Sequence, residues 1–369
     1  MADRRRLRLV CKQWRDIIDR RAPEQHARTR VLVFNSEWGS SSRAVVFDLN
    51  DGSRRHEWTF PCSSRRSRVF LVGTCNGLLC LHESLTSDKD SRFSTTVSVS
   101  VTNPITGETT VLPPVPTSWE PEQLREQQYS FGYHPITGQY KVVHIPCLQN
   151  QAVIRAVQVF TLGDDASSWR NLPVLDTGVS YHGSCRVVSV DGWTYWLTAC
   201  SDRVMALDLR DERVTSFRAL AATGPAAAYG DAHWMLTNIH AGLGLVLWNA
   251  AIGWVKVWVL EDREQQPRWR QIYNLTNRGR SEIDMAPHLT YGEYILSPSW
   301  EFSKTPYFCW VRLYCLKVGN LTRCDSEGRR LQPSEWEELI MRAEDSRGGI
   351  DTFPFVETLE TLPILSTLR

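Results

Sequence analysis

The sequence predicts an all-β fold, a β-propeller of about six blades, preceded by a short amphipathic α-helix and followed by a C-terminal helix and strand. From Arg30 onward, apolar runs of about four to eight residues alternate with clusters of Gly, Pro, Asn, Asp and Ser, as strands and turns do. One strand-and-turn unit recurs with a period of roughly 45–60 residues. The fifteen Trp residues suit the wide gaps between twisted sheets.

The first predicted element is a helix at residues 4–18. Its apolar residues recur at steps of three and four, which places them on one face, while most of the charged residues lie elsewhere. This face comprises Leu7, Val10, Cys11, Trp14, Ile17 and Ile18. Pro23 ends the pattern. A single helix of this length is marginally stable in water, so its apolar face must be covered by its own domain or by a partner.

The next elements are copies of one unit: an apolar strand, a turn with Asp, Asn or Gly, and a short stretch ending in an aromatic residue or Leu. The copies begin at Val45, Val99, Val157, Val204, Val255 and, more weakly, Val311. Between them lie predicted hairpins at 70–81, 187–197 and 243–248, which are broken by Asn-Gly, Asp-Gly and Asn249 in that order. A unit of about four strands cannot bury both faces alone, so radial stacking into kelch-like blades is expected.

The last predicted elements are a helix and a strand. Ser334 and Glu337 form a capping-box pattern, and the apolar residues of 333–343 share one helical face. Two glycines at 348–349 end the helix. A strand over Phe353 to Leu359 is then expected to close the ring of blades or to cover an exposed sheet edge.

Charge is balanced overall, with 42 basic and 41 acidic residues, but residues 1–30 carry ten Arg or Lys against four acids. Because Asp3, Asp16 and Asp19 interrupt this basic segment, a solvated helix face is favoured over binding to nucleic acid or membrane. The apolar stretch 243–260 is interrupted by polar residues and favours two buried strands over a membrane span. We therefore expect neither a nucleic-acid nor a membrane partner.

The ten cysteines include no pair with C-x-x-C spacing, which argues against a zinc ribbon or finger. No apolar signal peptide precedes them in this sequence, so reduced, mostly buried thiols of a cytoplasmic or nuclear protein are expected. Neither His134 with His144 nor His233 with His240 has the spacing of a metal pair. No metal and no cofactor are predicted.

Catalytic motifs are weak. His182-Gly-Ser-Cys185 places a base beside two nucleophiles, but adjacency in sequence supplies neither convergence nor an oriented base. Gly73 and Gly77 are not followed by Gly-Lys-Ser or Gly-Lys-Thr, so a hairpin turn is favoured over a phosphate loop. No catalytic residue is predicted, and an oxidase or hydrolase is the least favoured interpretation.

A binding surface is the remaining interpretation, because propellers present loops at the two ends of their axis. The longer polar connections are expected to form it; they are Glu83 to Phe93, Ser118 to Gln128, Glu261 to Arg268 and Ser299 to Lys304. Trp119, Trp300 and Tyr307 are its predicted aromatic anchors, since Trp, Tyr and Arg dominate binding hot spots. The alternative is that these are plain solvent loops with structural aromatics.

The first helix resembles the C-terminal half of an F-box, the module by which substrate receptors bind the Skp-type adaptor of cullin ubiquitin ligases. The resemblance rests on Val10, Cys11, Lys12, Trp14, Arg15, Ile17 and Ile18. The upstream half, with a Leu-Pro start and a first helix, is not in this sequence, so an N-terminally truncated F-box at residues 1–22 is expected. Whether residues 1–22 alone bind the adaptor stays open.

Roughly residues 30–320 resemble the F-box-associated domain of large plant families, and a β-propeller domain over residues 30–365 is expected. The resemblance rests on 73–80, 103–107, 131–143 and 191–196, which occur in the expected order. It implies a non-enzymatic substrate receptor of a cullin-type (SCF) E3 ubiquitin ligase, with an unknown target protein on the propeller and the Skp-type adaptor on the apolar face of the helix. The alternative is a ligase-independent propeller that binds a protein or glycan.

Overall fold

The computed structural model describes the chain from Arg30 to Leu362 with gaps. The described residues are 30–37, 39–48, 53–86, 94–116, 128–146, 156–163, 168–174, 186–198, 203–220, 233–239, 242–249, 254–262, 267–276, 289–291, 294–302, 309–317, 336–339, 349–358 and 362. The predicted N-terminal helix at residues 4–18 lies outside them.

These residues form an all-β structure, which confirms the predicted class. The strands are β1 (Arg30–Ser36), β2 (Ser41–Asp48), β3 (Arg54–Pro61), β4 (Ser67–Cys75), β5 (Leu78–Thr86), β6 (Ser94–Thr102), β7 (Thr109–Val111), β8 (Gln128–His134), β9 (Gln139–Ile145), β10 (Ala156–Thr161), β11 (Arg170–Pro173), β12 (Val188–Val190), β13 (Trp193–Leu197), β14 (Arg203–Asp208), β15 (Val214–Arg218), β16 (His233–Ile239), β17 (Gly242–Asn249), β18 (Trp254–Asp262), β19 (Arg268–Thr276), β20 (Leu289–Tyr291), β21 (Tyr294–Phe302), β22 (Cys309–Lys317), β23 (Trp336–Leu339) and β24 (Gly349–Pro354).

Five hydrogen-bonded sheets form from the described strands. Four have four strands each: β24-β1-β2-β3, β4 to β7, β8 to β11 and β12 to β15. The fifth has eight strands, because the meanders β16 to β19 and β20 to β23 are joined by one parallel pair, Ile239 with Thr290. We number the six four-stranded units blades 1 to 6, starting from the sheet that contains β1. The predicted β-propeller class is confirmed; the described strands form five sheets, one of which contains two meanders.

The inner strands of the blades form a closed ring: β24 contacts β4, and contacts continue through β8, β12, β16 and β20 back to β24. The predicted repeat is the third and fourth strand of each blade. Val45, Val99 and Val157 lie in β2, β6 and β10, while Val204, Val255 and Val311 lie in β14, β18 and β22. The stretch 243–260 also forms two strands, β17 and β18, as expected.

The predicted helix near the C-terminus is wrong for the residues described there. Trp336–Leu339 is strand β23, paired with β22 so that Leu339 faces Leu313 and Trp336 faces Leu316. The neighbouring strand supplies hydrogen-bond partners along the backbone, so the long-range pairing overrides the local helical pattern.

The core lies between blades. Leu32 and Phe34 of blade 1 pack with Leu79 and Leu81 of blade 2. Corresponding clusters lie between blades 2 and 3, 3 and 4, and 4 and 5. In the outer strands β3 and β11, exposed residues alternate with half-buried ones. In the strands β1 and β10, by contrast, nearly every residue is buried. Blades 2, 3 and 4 are therefore each buried on both faces by their neighbours, as radial stacking requires.

Indole groups join neighbouring outer strands. Trp169, just before β11, donates its Nε1–H to the carbonyl oxygen of Pro113 at 2.8 Å. Trp269, in β19, donates in the same way to the carbonyl of Arg218 at 3.4 Å. In each case the carbonyl lies at or just after the end of the preceding blade's outer strand. The Trp residues thus both fill the gaps between blades and link their edges.

The ring closes through a last strand as predicted, but this strand, β24, spans Gly349–Pro354 and not Phe353 to Leu359. β24 pairs antiparallel with β1, so blade 1 takes its inner strand from the end of the chain. Phe355 follows β24, donates its amide to the carbonyl of Arg30 at 3.0 Å and is 1% exposed. Its ring packs on Trp58 at 5.7 Å between centroids.

Phe355→Ala is expected to destabilise the protein by about 3–5 kcal/mol, because it removes a buried ring from the cluster that closes the propeller. The measurement is a urea unfolding curve followed by tryptophan fluorescence. Ile136→Ala, at a turn residue that is 58% exposed, is the matched control and is expected to change stability by less than about 0.5 kcal/mol. Equal effects of the two variants would show that the C-terminal segment does not hold the ring.

Candidate functional site

The strand order defines two opposite faces of the propeller. Because each blade is an antiparallel meander, successive connections emerge at alternate ends. We call the end with the turns 76–77, 103–108, 135–138, 191–192 and 209–213 the hairpin face. We call the opposite end the loop face. The connections from one blade to the next lie there, as do those between the second and third strands of a blade.

Tight turns form the hairpin face. Asn76 and Gly77 have φ values of 50° and 83°, and Asp191 and Gly192 have 49° and 76°. These are the left-handed angles of type I′ hairpin turns, as the Asn-Gly and Asp-Gly pairs predicted. A Cβ atom on Gly77 would also lie 2.3 Å from the carbonyl oxygen of Val356, so this turn fits against the C-terminal segment only with glycine.

Both described ends of the chain lie at the hairpin face. Arg30, the first residue of β1, forms an ion pair with Glu357, which follows β24. His56 Nε2 lies 2.6 Å from the same Glu357 carboxylate. Residues 1–29 therefore join the propeller at this face.

The C-terminal segment continues from blade 1 onto the turns of blade 2. Asn103 donates its side-chain amide to the carbonyl of Thr358 at 3.2 Å, and Leu362 donates its amide to Glu108 at 3.0 Å. The Asn103 side-chain oxygen also accepts from the amide of Ile105 at 2.9 Å. The Asn-Pro-Ile-Thr-Gly stretch thus has a structural role: it holds its own turn and the end of the chain.

An ion pair bridges the central channel near the loop face. Arg186, just before the inner strand of blade 4, pairs with Asp351 in the inner strand of blade 1. Blades 1 and 4 lie opposite each other in the ring of six. Burial lowers the pKa of Arg186 to about 10, which leaves it cationic at neutral pH. The bridge favours partners that dock on an end or rim of the propeller over ligands that enter along its axis.

Glu83 anchors the connection between blades 1 and 2 at the loop face. Its carboxylate accepts hydrogen bonds from the amide and the hydroxyl of Ser63 at 2.6 and 2.7 Å, and from the hydroxyl of Ser67 at 2.5 Å. Burial raises the pKa of Glu83, but the hydrogen bonds from Ser67 and Ser63 together outweigh it and leave the pKa below its usual value. Glu83 belongs to β5, so its predicted place in a binding loop is wrong.

The structure divides the four predicted binding loops between the two faces. The strands that flank 87–93, 117–127 and 303–308 end at the loop face, whereas β18 ends and β19 begins at the hairpin face. Trp300 lies inside β21 opposite Val311, so its predicted loop position is wrong; pairing with β22 extends the strand through it. Trp119 and Tyr307 lie outside the described residues, as do the predicted adaptor-binding residues Leu7, Val10, Cys11, Trp14, Ile17 and Ile18.

A row of buried rings lies beneath the loop face between blades 2 and 3. His82 and Tyr129 lie 4.6 Å apart between ring centroids, and Tyr129 and His144 are also 4.6 Å apart. Thr96 lies 3.1 Å from both His82 Nε2 and the Tyr129 hydroxyl. His144 Nδ1 lies 2.7 Å from the side-chain oxygen of Gln158. The sequence did not single out His82 or Tyr129, because their convergence depends on the packing of two blades.

The two histidines of this row are uncharged. Burial, with a smaller contribution from the nearby His144, lowers the pKa of His82 to about 3. Burial lowers the pKa of His144 to about 4, although its hydrogen bond to Gln158 acts in the opposite direction. Both therefore pack as neutral rings at physiological pH.

His134, which was considered with His144 as a metal pair, has a structural contact of its own. Its Nδ1 atom accepts a hydrogen bond from the amide of Thr137 at 3.1 Å in the β8–β9 turn. Among the residues that the structure describes, no group of three His, Cys, Asp or Glu side chains is arranged to hold a metal ion. A search of the same residues found no helix long and apolar enough to cross a membrane. His182-Gly-Ser-Cys185 lies outside them.

The closed ring of meanders with two distinct faces defines a β-propeller protein. Residues 26–338 match the family described as the F-box associated beta propeller domain, and residues 1–25 match the F-box domain. The chain therefore belongs to the family of F-box proteins with an F-box associated beta propeller domain. The closing strand β24 lies beyond the matched residues.

Relatives of known sequence agree with this family. One F-box protein of Arabidopsis thaliana is 27% identical over 193 residues, covering 45% of this chain and 43% of its own length. Another from the same plant is 24% identical over 318 residues, covering 79% and 75%. In two further Arabidopsis relatives, each named a putative F-box protein, the match spans about half of their length, 51% and 56%.

Solved structures resemble the chain more distantly. A putative 6-phosphogluconolactonase from Bacteroides uniformis has a TM-score of 0.41 at 11% identity, covering 88% of this chain and 99% of that one.

The stability of the protein is expected to fall in acid because of His82 and His144. Their folded-state pKa values, about 3 and 4, lie below the usual 6.5, so protons bind preferentially to the unfolded chain. Stability is therefore complete above about pH 6.5 and falls as the pH drops toward 4, by up to about 1.4 kcal/mol per pH unit for each histidine.

Urea unfolding at pH 7 and pH 5 measures this effect. His144→Gln and His82→Gln are each expected to lose less stability between the two pH values than the unaltered protein. His233→Gln, at an exposed histidine of β16, is the control and should retain the full loss. An unchanged pH dependence in both buried-site variants would contradict the neutral, buried state of these rings.

Proposed function

We propose that this chain is a non-enzymatic substrate receptor of a cullin-type (SCF) E3 ubiquitin ligase. Residues 1–22 bind the Skp-type adaptor through the predicted apolar face, and residues 30–365 bind a target protein. Ubiquitin transfer belongs to partner subunits. The observation that carries the proposal is the match to an F-box at residues 1–25, followed directly by the match to an F-box associated propeller.

The geometry of the propeller supports adaptor attachment at one end and target binding at the other. The N-terminal segment enters at the hairpin face, where Arg30 and the C-terminal segment lie. The hairpin face is also occupied by tight turns that hold the end of the chain, as Asn103 and Gly77 do. The loop face lies at the other end, away from the adaptor-binding segment. We infer that the target protein docks at or near the loop face.

The polar contacts among the described residues are consistent with binding rather than catalysis. The buried histidines are neutral and packed, and the channel is bridged by Arg186 and Asp351. A surface of loops on a rigid scaffold is a common arrangement for protein recognition. The proposal also places the protein in the cytoplasm or nucleus, where cullin ligases act, without a metal or cofactor of its own.

Retention of a Skp-type adaptor tests the ligase role. The full chain, immobilised on beads, is expected to retain the purified adaptor. The double variant Trp14→Asp, Ile17→Asp is expected to weaken retention by roughly tenfold or more, because two charges replace apolar side chains on the predicted contact face. The measurement is the adaptor concentration that gives half-maximal retention.

Arg8→Asp is the matched control, since it introduces the same side chain on the predicted polar side of the helix. It should leave retention nearly unchanged. If the double variant binds as well as the original chain, this helix is not the adaptor contact. If the unaltered chain retains no adaptor but a fusion carrying a complete F-box does, the ligase role fails for the chain as given, and a ligase-independent binding propeller becomes the better interpretation.

A further inference from the structure

A tight turn with two arginines connects blades 1 and 2 at the loop face. It runs from Ser64 to Ser67, the first residue of β4, and the amide of Ser67 donates to the carbonyl of Ser64 at 3.1 Å. Arg65 and Arg66 occupy its two central positions, and both are exposed. We call residues 64–67 the arginine turn. It lies at the end of the propeller opposite the entry of the N-terminal segment.

Hydrogen bonds fix the backbone of the arginine turn. The Ser64 hydroxyl accepts from the amide of Arg66 at 2.9 Å, and the Ser67 hydroxyl accepts from the amide of Ser64 at 3.1 Å. The amide of Gly39, between β1 and β2, donates to the carbonyl of Ser67 at 3.0 Å. A Cβ atom on Gly39 would clash with the carbonyl oxygen of Arg65, so the two connections fit closely together. The arginines are thus carried on an ordered support.

Glu83 ties the arginine turn to blade 2. Its carboxylate accepts hydrogen bonds from the hydroxyl of Ser67 and from the amide and hydroxyl of Ser63, the residue before the turn. Among the described residues, no arginine forms an ion pair with this carboxylate. Glu83 therefore holds the backbone that presents the arginines.

Two exposed aliphatic side chains lie at the same end of blade 2. Leu85 pairs with Ser67 across β4 and β5, so it lies beside the arginine turn, and it is 36% exposed. It shares a face of the sheet with Glu83, because side chains two residues apart in a strand point the same way. Val97 is 46% exposed and lies in β6 two residues from Thr95, the partner of Leu85. This corner of the loop face therefore combines positive charge with apolar surface.

This composition indicates the chemistry of a partner. Guanidinium groups bind carboxylates through two parallel hydrogen bonds, and Arg is enriched in binding hot spots. An isolated exposed ion pair contributes little, but an ordered backbone lowers the entropy cost of binding, and a neighbouring apolar contact adds to the charge pairing. The aliphatic side chains favour a protein segment over nucleic acid, because phosphate groups gain nothing from contact with Leu85 and Val97.

We propose that the arginine turn, together with Leu85 and Val97, binds a short acidic segment of the target protein. Carboxylates of the segment contact Arg65 and Arg66, and an apolar side chain of the segment contacts the two aliphatic residues. The inference rests on the proposed function, since the target protein would supply this segment. It adds which corner of the loop face the target contacts and what kind of sequence that corner selects.

A binding assay with a defined peptide tests this surface. The probe is a fluorescein-labelled octapeptide, Glu-Asp-Glu-Leu-Leu-Glu-Asp-Glu, titrated with the full chain by fluorescence anisotropy at physiological salt. Saturable binding is expected, and a peptide with Gln and Asn in place of Glu and Asp is expected to bind at least about tenfold more weakly. Equal binding of the two peptides, or no binding of the acidic one, would overturn the proposal.

Charge reversal locates the contact. The double variant Arg65→Glu, Arg66→Glu is expected to weaken binding of the octapeptide at least about tenfold, because like charges then face each other. Its melting temperature should stay nearly unchanged, since both side chains are exposed in a turn. If this variant does not fold, Arg65→Gln, Arg66→Gln serves in its place with the same direction of effect.

The matched control is the double variant Arg210→Glu, Arg213→Glu. It makes the same change of charge at two exposed arginines of a turn on the hairpin face. Peptide binding should be nearly unaffected. If the two double variants weaken binding equally, general attraction explains the binding and the arginine turn does not.

Leu85→Ser tests the apolar contact separately. It is expected to weaken binding of the octapeptide severalfold but to preserve its preference over the Gln and Asn peptide. Ile136→Ser, at a 58% exposed residue of a turn on the hairpin face, is the control and should bind as the unaltered chain does. Equal affinities of the two variants would contradict the apolar part of the site.

A competitor distinguishes a protein segment from nucleic acid. Unlabelled octapeptide is expected to displace the labelled probe at lower concentration than a single-stranded DNA of twelve nucleotides. The opposite order would replace the proposed protein partner by a nucleic acid. The assay contains neither adaptor nor cullin, so failure of peptide binding and failure of adaptor retention are independent results.

Discussion

The pairing of β24 with β1 is the interaction on which the rest of the structure depends. The blades bury their apolar faces only against neighbours, so an open ring would leave two sheets uncovered. The inner strand of blade 1 comes from the end of the chain, which makes closure a contact between residues about 320 apart in sequence. Phe355 and the ion pair of Glu357 with Arg30 secure that contact.

Closure of the ring also determines which residues contact the C-terminal segment at the hairpin face. The segment that completes the ring continues over the turns of blade 2. In those turns, Gly77 packs against Val356, and Asn103 donates a hydrogen bond to the carbonyl of Thr358. The N-terminal segment enters at the same face. The loop face, where the blades connect to one another, lies at the opposite end. One structural requirement, a closed ring, thus brings both described ends of the chain to the same face.

Sequence patterns predicted the repeated units well because each is a local hairpin. The copies beginning at Val45 and Val204 needed only alternating apolar residues and a turn signal. Prediction failed where a distant strand decided the outcome. Trp336–Leu339 carries a helical pattern but pairs with β22, and Trp300 was assigned to a loop but continues β21.

By itself, the sequence determined that the chain is built of about six similar β-units and that its turns at Asn76-Gly77 and Asp191-Gly192 are tight, because these features depend on neighbouring residues. Only the tertiary structure decided how the ring closes, which loops share a face, and which side chains meet between blades. His82 and His144 illustrate this, since neither has a local motif and both lose their charge through burial between two sheets. Long-range packing sets burial, and burial sets their chemistry.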